Sequence, residues 1–381
     1  MLFADIPGQE ETKHTLINSV KKNHIAHAQL FAGKEGSANM AMALAYGMYI
    51  NCEAQKENDS CGECTSCSKF KKLIHPDLHF IFPVNTTKDV PKDPVSALFM
   101  KEWRSFLINN PYANIHSWGD TIGTENKQLI INTDDSRSII KALSLKSFEG
   151  EYKVMIIWLP ELMKTEGANA ILKILEEPPA KTIFLMVSNN IDRLLTTIQS
   201  RTQKVMIPPF LDEEVKKYVM DKYSLDEKKA TRIAFLADGN MDAAIRLTSE
   251  HEDEDNHDMF RDWMRLCYNL YKKTNNLIEL NQWTEAFGAL GREGQKTMLQ
   301  YGINIMRETL VFRHTAHQLV RLQQEDLVFV EKFSKTLTDD MIETVSNRLN
   351  ETFYHIERNA SAKITFMDTS FFIASVFNKK Q

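Results

Sequence analysis

The sequence predicts a parallel-sheet α/β body followed by helical domains. Three observations carry that prediction. Short, near-continuous apolar runs alternate with helical patterns as far as residue 207. Such runs suit strands buried on both faces of a parallel sheet, and their alternation with helices argues for an α/β domain. After Pro208-Pro209 the strand-like runs stop, and helical periodicity continues to Gln381.

The expected strands are "AQLFAG" (28–33), "LHFIFPV" (78–84), "KVMIIW" (153–158), "TIFLMV" (182–187) and "QKVMI" (203–207). Helical patterns cover about 9–21, 37–50, 135–144 and 163–176. The last is stopped by Pro178-Pro179, because proline cannot continue a helix. Residues 85–128 are polar and turn-rich around one helical stretch, "VSALFMKEWRSFLI". That is long for a connection inside such a domain, so it reads as an insertion. A small helical unit with a Gly239-Asn240 break follows the prolines. The acid-rich "SEHEDEDNHD" (249–258) reads as a solvated linker. The expected organisation is an α/β domain over 1–207, a helical lid over 208–248 and an all-α domain over 249–381.

Composition sets outer limits. A chain of 381 residues is long for one core, and 43% apolar with 25% charged residues is ordinary for a globular protein. A net charge of −5 excludes a strongly basic nucleic-acid binder. The N-terminus lacks the pattern of a signal peptide, and no apolar run reaches the roughly 18 residues of a membrane helix. A cytoplasmic location is expected, where thiols stay reduced and clustered cysteines point to metal.

Four of the five cysteines are Cys52, Cys61, Cys64 and Cys67, spaced C-x8-C-x2-C-x2-C. Four thiolates suit tetrahedral zinc, and a C-x2-C turn presents two sulfurs to one ion. An iron–sulfur cluster is the competitor, but its C-x2-C-x2-C-x3-C-P run is absent. A closed four-sulfur site has no open position, so the zinc is expected to be structural. Cys267, alone in a helical stretch, reads as core.

The stretch "LFAGKEGSANMAMALA" (30–45) has the strand–loop–helix layout of a phosphate-binding loop. The pattern G-x-x-x-x-G-K-[ST] uses backbone amides to cradle phosphates, the lysine to neutralise them and the hydroxyl to hold Mg²⁺. Counted from Gly33, those last three positions are Ala38, Asn39 and Met40, although Gly36 retains a second glycine. The strand 153–158 ends in Trp158-Leu159 where a hydrolase needs a carboxylate for the Mg²⁺ shell. Glu161 lies further along. Strand 182–187 is followed by Ser188 and Asn189. Ser200-Arg201 precede the last strand, and Lys173, Glu176 and Glu177 close a helix. Taken singly, Arg201 reads as a solvated or salt-bridged residue, and Lys173, Glu176 and Glu177 as surface charges supporting a helix.

Together, "DIPGQE" (5–10), "HAQLFAGKEG" (27–36), the cysteine loop, "HPDLHFI" (75–81), "ANAILKILEEPP" (168–179) and "LLTTIQSRT" (194–202) resemble the AAA+ clamp-loader family of bacterial DNA polymerase III, in its delta-prime branch. The resemblance covers residues 1–207. It implies a ring with ATP-hydrolysing gamma/tau subunits and delta, which loads the sliding clamp onto primer–template DNA. It implies no ATP hydrolysis by this chain. Arg201, with Ser200 beside it, would act as a finger on a neighbour's ATP, with Thr202 in place of the family's Cys. It also assigns zinc to Cys52, Cys61, Cys64 and Cys67. The lid position that carries a sensor arginine in hydrolysing relatives is Asp242. Nucleotide at Gly33 and Gly36 without hydrolysis stays open. Two other classes compete: an active AAA+ ATPase of gamma/tau type, opposed by Asn39, Met40, Trp158 and Asp242, and a zinc-containing DNA-binding protein, opposed by the acidic charge. The small basic stretch "SKFKKLIH" (68–75) reads as a solvated helix face.

Overall fold

The computed structural model describes residues 1–124, 127–144, 147–249, 255–270, 275–314, 320, 322, 324–358 and 360–378. Two compact units divide the chain, Met1–Arg246 and Leu247–Gln381.

In the first unit the elements run α1 (Glu10–Lys21), β1 (Ala28–Ala32), α2 (Asn39–Ile50), α3 (Thr65–Lys71), β2 (Leu78–Ile81), α4 (Met100–Asn109), α5 (Ile115–Ile122), α6 (Thr133–Ser144), β3 (Lys153–Trp158), α7 (Thr165–Glu176), β4 (Thr182–Ser188), α8 (Thr196–Gln199) and β5 (Gln203–Met206). Three further helices complete it: α9 (Asp212–Tyr223), α10 (Glu227–Ala237) and α11 (Met241–Ser249). The five strands form one sheet in the order β2-β3-β4-β1-β5. Every pairing is parallel, with Leu30 opposite Met186 and Ile156 opposite Leu185. β1, β3 and β4 are buried along their whole length, as their unbroken apolar runs require. Leu30, Ile157, Phe184 and Met186 share a core with Ile171 and Leu175 of α7.

Two strands depart from expectation. β5 is an edge strand, and Gln203, Lys204 and Met206 are exposed rather than buried on both faces. β2 stops at Ile81. Pro83 has no N–H for a ladder, and Val84 forms an isolated antiparallel bridge to Ile130 instead.

The expected insertion holds two helices, where the sequence indicated one. α4 carries Trp103, Phe106 and Leu107 on its buried side. α5 starts at Asn114, whose side chain accepts from the Ser117 N–H at 2.9 Å, and ends at Gly123 with φ +69°. Those are the preferred capping residues for a helix start and stop.

The second unit is helical in its described residues: α12 (Asp255–Asn269), α13 (Asn275–Ala289), α14 (Gly291–Arg313), α15 (Gln324–Thr336), α16 (Asp339–Glu357) and α17 (Ala362–Asn378). Trp263 and Phe287 stack on Phe366 at 4.6 and 4.2 Å, and the Trp263 indole donates to Ser370 Oγ at 2.9 Å. Cys267 is fully buried on α12, as a core thiol. The linker expected at 249–258 is only partly confined to the break between helices. Residues 250–254 lie outside the described residues, while 255–258 belong to α12.

Candidate functional site

The loop between β1 and α2 keeps the backbone course of a phosphate cradle. Gly36 has φ +74°, a conformation that L side chains rarely adopt, and the Gly33 N–H donates to the Ser188 carbonyl at 3.3 Å. A Cβ on Gly33 would lie 2.3 Å from the Ile207 carbonyl oxygen, so only glycine fits between β1 and the strand beside it. Asn39, where the cradle needs lysine, turns back into the loop. Its Nδ2 donates to the Gly33 carbonyl at 3.0 Å and to Asn189 Oδ1 at 3.1 Å. Met40, where a hydroxyl is needed, is buried in the core. The loop is also closed from the lid side, because the Met241 N–H donates to the Gly36 carbonyl at 3.0 Å.

Trp158, the last residue of β3, is 3% exposed and joins an aromatic cluster with residues of the insertion. Trp103 stacks on Phe82 at 4.1 Å and lies 5.1 Å from both Trp158 and Trp118. Glu161 does not take the vacant chemical role. Its carboxylate accepts from the Asn189 and Asn190 N–H groups at 3.0 and 3.2 Å, and burial pushes its pKa up. Asp242, at the lid position, accepts from Asn110 Nδ2 at 2.8 Å and lies 3.5 Å from Arg246 Nε. Asn39, Trp158, Glu161 and Asp242 are therefore each bonded or packed within the chain.

The four thiols come together. One sulfur from each of Cys52, Cys61, Cys64 and Cys67 lies within 4.8 Å of the others. Cys61 and Cys67 are 3.8 Å apart, close to the edge of a tetrahedron with Zn–S bonds of about 2.3 Å. The loop backbone favours a thiolate at Cys61, whereas burial pushes the thiols of Cys52 and Cys67 up. Cys61 Sγ accepts from the Glu63 and Cys64 N–H groups at 3.4 and 3.3 Å, which lowers its pKa to about 6. Cys64 Sγ accepts from the Cys67 N–H at 3.4 Å and so caps α3. The residues fit a tetrahedral ion whose role would be to tie residues 52–67 together.

Arg201 follows α8 and is one-third exposed. Its Nε donates to Glu176 Oε1 at 2.6 Å and its Nη1 to the Thr197 carbonyl at 2.9 Å. Ser200 Oγ donates to the Thr197 carbonyl at 3.1 Å and thereby stiffens the turn. Glu176 is thus the partner of Arg201, which its reading as a solvated helix-end charge did not anticipate.

Asn110, Tyr112, Trp103 and Trp118 were also missed from sequence. The available signal was aromatic: Trp103 lies in the helical stretch of the expected insertion and Trp118 in its polar remainder, and a solvated segment has little use for tryptophan.

Next to the metal loop, Asp77 is buried. Burial pushes its carboxyl up, but N–H groups of Phe148, Glu149 and Gly150 donate to it at 2.7, 2.8 and 2.7 Å and hold it below the usual range. His75 beside it is buried against Phe70, and that burial lowers its pKa.

Comparison with known proteins bears on the same residues. Residues 8–210 match the family described as DNA polymerase III, delta subunit, over more than half of the chain. DNA polymerase III subunit tau/gamma of Haemophilus influenzae is 22% identical over 253 residues, which is 65% of this chain and 30% of that protein. DNA polymerase III subunit delta' of Escherichia coli is 21% identical over 313 residues, 82% of this chain and 78% of that protein. The chain therefore spans about a third of the tau/gamma relative. Among solved structures, a DNA polymerase III gamma subunit-related protein from Thermotoga maritima aligns over 97% of this chain and 100% of its own, at 15% identity and a TM-score of 0.38.

Proposed function

Since the chain belongs to the DNA polymerase III, delta subunit family, we propose that it is a non-hydrolysing clamp-loader subunit of delta-prime type. It assembles in the cytoplasm with gamma/tau and delta subunits to place the sliding clamp on primer–template DNA. Residues 208–248 serve as the lid and 249–381 as the oligomerisation domain of the ring. Zinc in the cysteine loop is structural. Arg201, held by the turn at Ser200, supplies positive charge to ATP bound by the adjacent subunit.

One observation carries the choice of delta-prime over the gamma/tau type, to which the chain is comparably similar. Asn39, Trp158 and Asp242 replace the lysine, carboxylate and arginine of an ATPase, and each is bonded or packed within the chain. Removing one pre-organised charge from a transition state commonly costs about 10²–10³ in rate. Three such losses leave no useful hydrolysis. The purified chain is expected to show no ATPase activity, and hydrolysis by it alone would return it to the gamma/tau type.

The finger is tested in the reconstituted loader. Fingers are worth about 10³–10⁵ at the site they serve. Arg201→Ala should therefore abolish turnover at one site while leaving assembly intact. Unchanged clamp- and DNA-stimulated turnover would remove Arg201 from the mechanism.

A further inference from the structure

In nucleotide-gated proteins a hinged domain closes because the ligand touches both sides of the cleft. Here one segment of the chain touches both sides. At its start, Trp103 packs against Phe82, just past β2, and Trp158, at the end of β3. Asn110 lies seven positions later, just past the end of α4. Its side chain donates to Asp242 of α11. Tyr112 then sets its ring edge-on against Phe210, 5.5 Å away, and Tyr218 of α9, 6.0 Å away. The Trp118 indole closes the segment back onto the body by donating to the Pro83 carbonyl at 2.8 Å.

Tyr112 is 3% exposed, and its hydroxyl has no hydrogen-bond partner among the described residues. Its contribution is therefore the ring. Independently of this segment, the bond from the Met241 N–H to the Gly36 carbonyl fastens the lid directly to the former phosphate loop.

We propose that residues 96–123 are a permanent internal occupant of the nucleotide cleft, holding α9, α10 and α11 in one position against the α/β body whether or not nucleotide is present. The segment takes over the bridging contacts of a ligand: an aromatic anchor at the strand end, a polar contact to α11 and a ring between α9 and the connection from β5 that leads to it. This stands apart from the finger at Arg201, which could fail without affecting it.

Hydrogen exchange of the full-length chain tests the proposal. In the wild type, amides of α9–α11 should exchange as slowly as those of β1 and β3, and adding ATP with Mg²⁺ should change neither. Asn110→Ala removes a hydrogen bond to a charged group and should speed exchange of α9–α11 by about tenfold or more, leaving β1 and β3 unchanged. Tyr112→Ala should act in the same direction, and Tyr112→Phe should have no effect. Three results would overturn the proposal: lid exchange already fast in the wild type, lid exchange unchanged in Asn110→Ala, or lid protection that rises on adding ATP with Mg²⁺. Should Tyr112→Ala fail to fold, Asn110→Ala and the nucleotide measurement still decide.

Discussion

The loop at 33–38 and the loop at 52–64 make opposite use of backbone and side chain. The first keeps a cradle's backbone, with Gly36 at φ +74°, but its side chains have turned inward. The second has little regular structure of its own, and its three sulfurs converge with that of Cys67 on α3. That first loop is also the connection between a buried strand and a buried helix, so the fold sets its course whatever side chains it carries. The cysteine loop has polar side chains between its thiols. An ion joining those thiols would fix its shape.

The sharpest way to break this contrast is to disable the second loop. Cys64→Ser, or chelation of the ion, should cost several kcal/mol, since structural zinc contributes on the order of 10 kcal/mol in small zinc modules. Denaturant unfolding with metal analysis reads this directly, and a wild-type midpoint in metal-free protein would show that the loop holds without an ion. Trp158→Ala should follow, at about 3–5 kcal/mol for a large buried aromatic ring. By contrast, the double change Asn39→Lys and Met40→Thr should leave ATPase activity at background, because Trp158 and Asp242 remain. Measurable turnover in that variant would mean the cradle had lost only its side chains.

A smaller effect comes from pH. Burial lowers the pKa of His75, so the folded state keeps the ring neutral. Its stabilising contribution is complete above the unfolded value of about 6.5 and is lost as pH falls through and below it. His75→Gln should flatten the loss of stability between about pH 6.5 and 5, measured by urea midpoints. Smallest of all, Glu176→Ala should change the stability of the isolated chain by less than about 1 kcal/mol, because both partners of its ion pair with Arg201 are partly exposed.

What could be read in the sequence follows the range of the interaction. The four thiols lie within a short stretch and have metal-ligand spacing, so their convergence was legible. Helix bounds such as Thr165–Glu176 were legible because Pro178-Pro179 set a local stop. β5 was misjudged because an apolar run does not reveal whether its strand lies in the middle of a sheet or at its edge. α5 was missed because its signals are a cap at Asn114 and a stop at Gly123, with only two turns of helix between them. Most hidden was the bond from Asn110 to Asp242, which joins residues 132 positions apart and leaves no periodic trace. The phosphate loop shows the limit from the other side. Its missing residues were plain, but only the structure reveals what Asn39 and Trp158 do in their new places.

The bond between Asn110 and Asp242 has a consequence for supply. A bound nucleotide keeps a lid in place only to the extent that its concentration exceeds its dissociation constant, and it leaves at some rate. An occupant joined through the chain is present at a fixed effective concentration set by its tether. Its occupancy does not fall when cellular ATP falls, and it has no off-rate into solution. Residues 96–123 would give one subunit a shape that is independent of energy charge, against which nucleotide-driven neighbours can move.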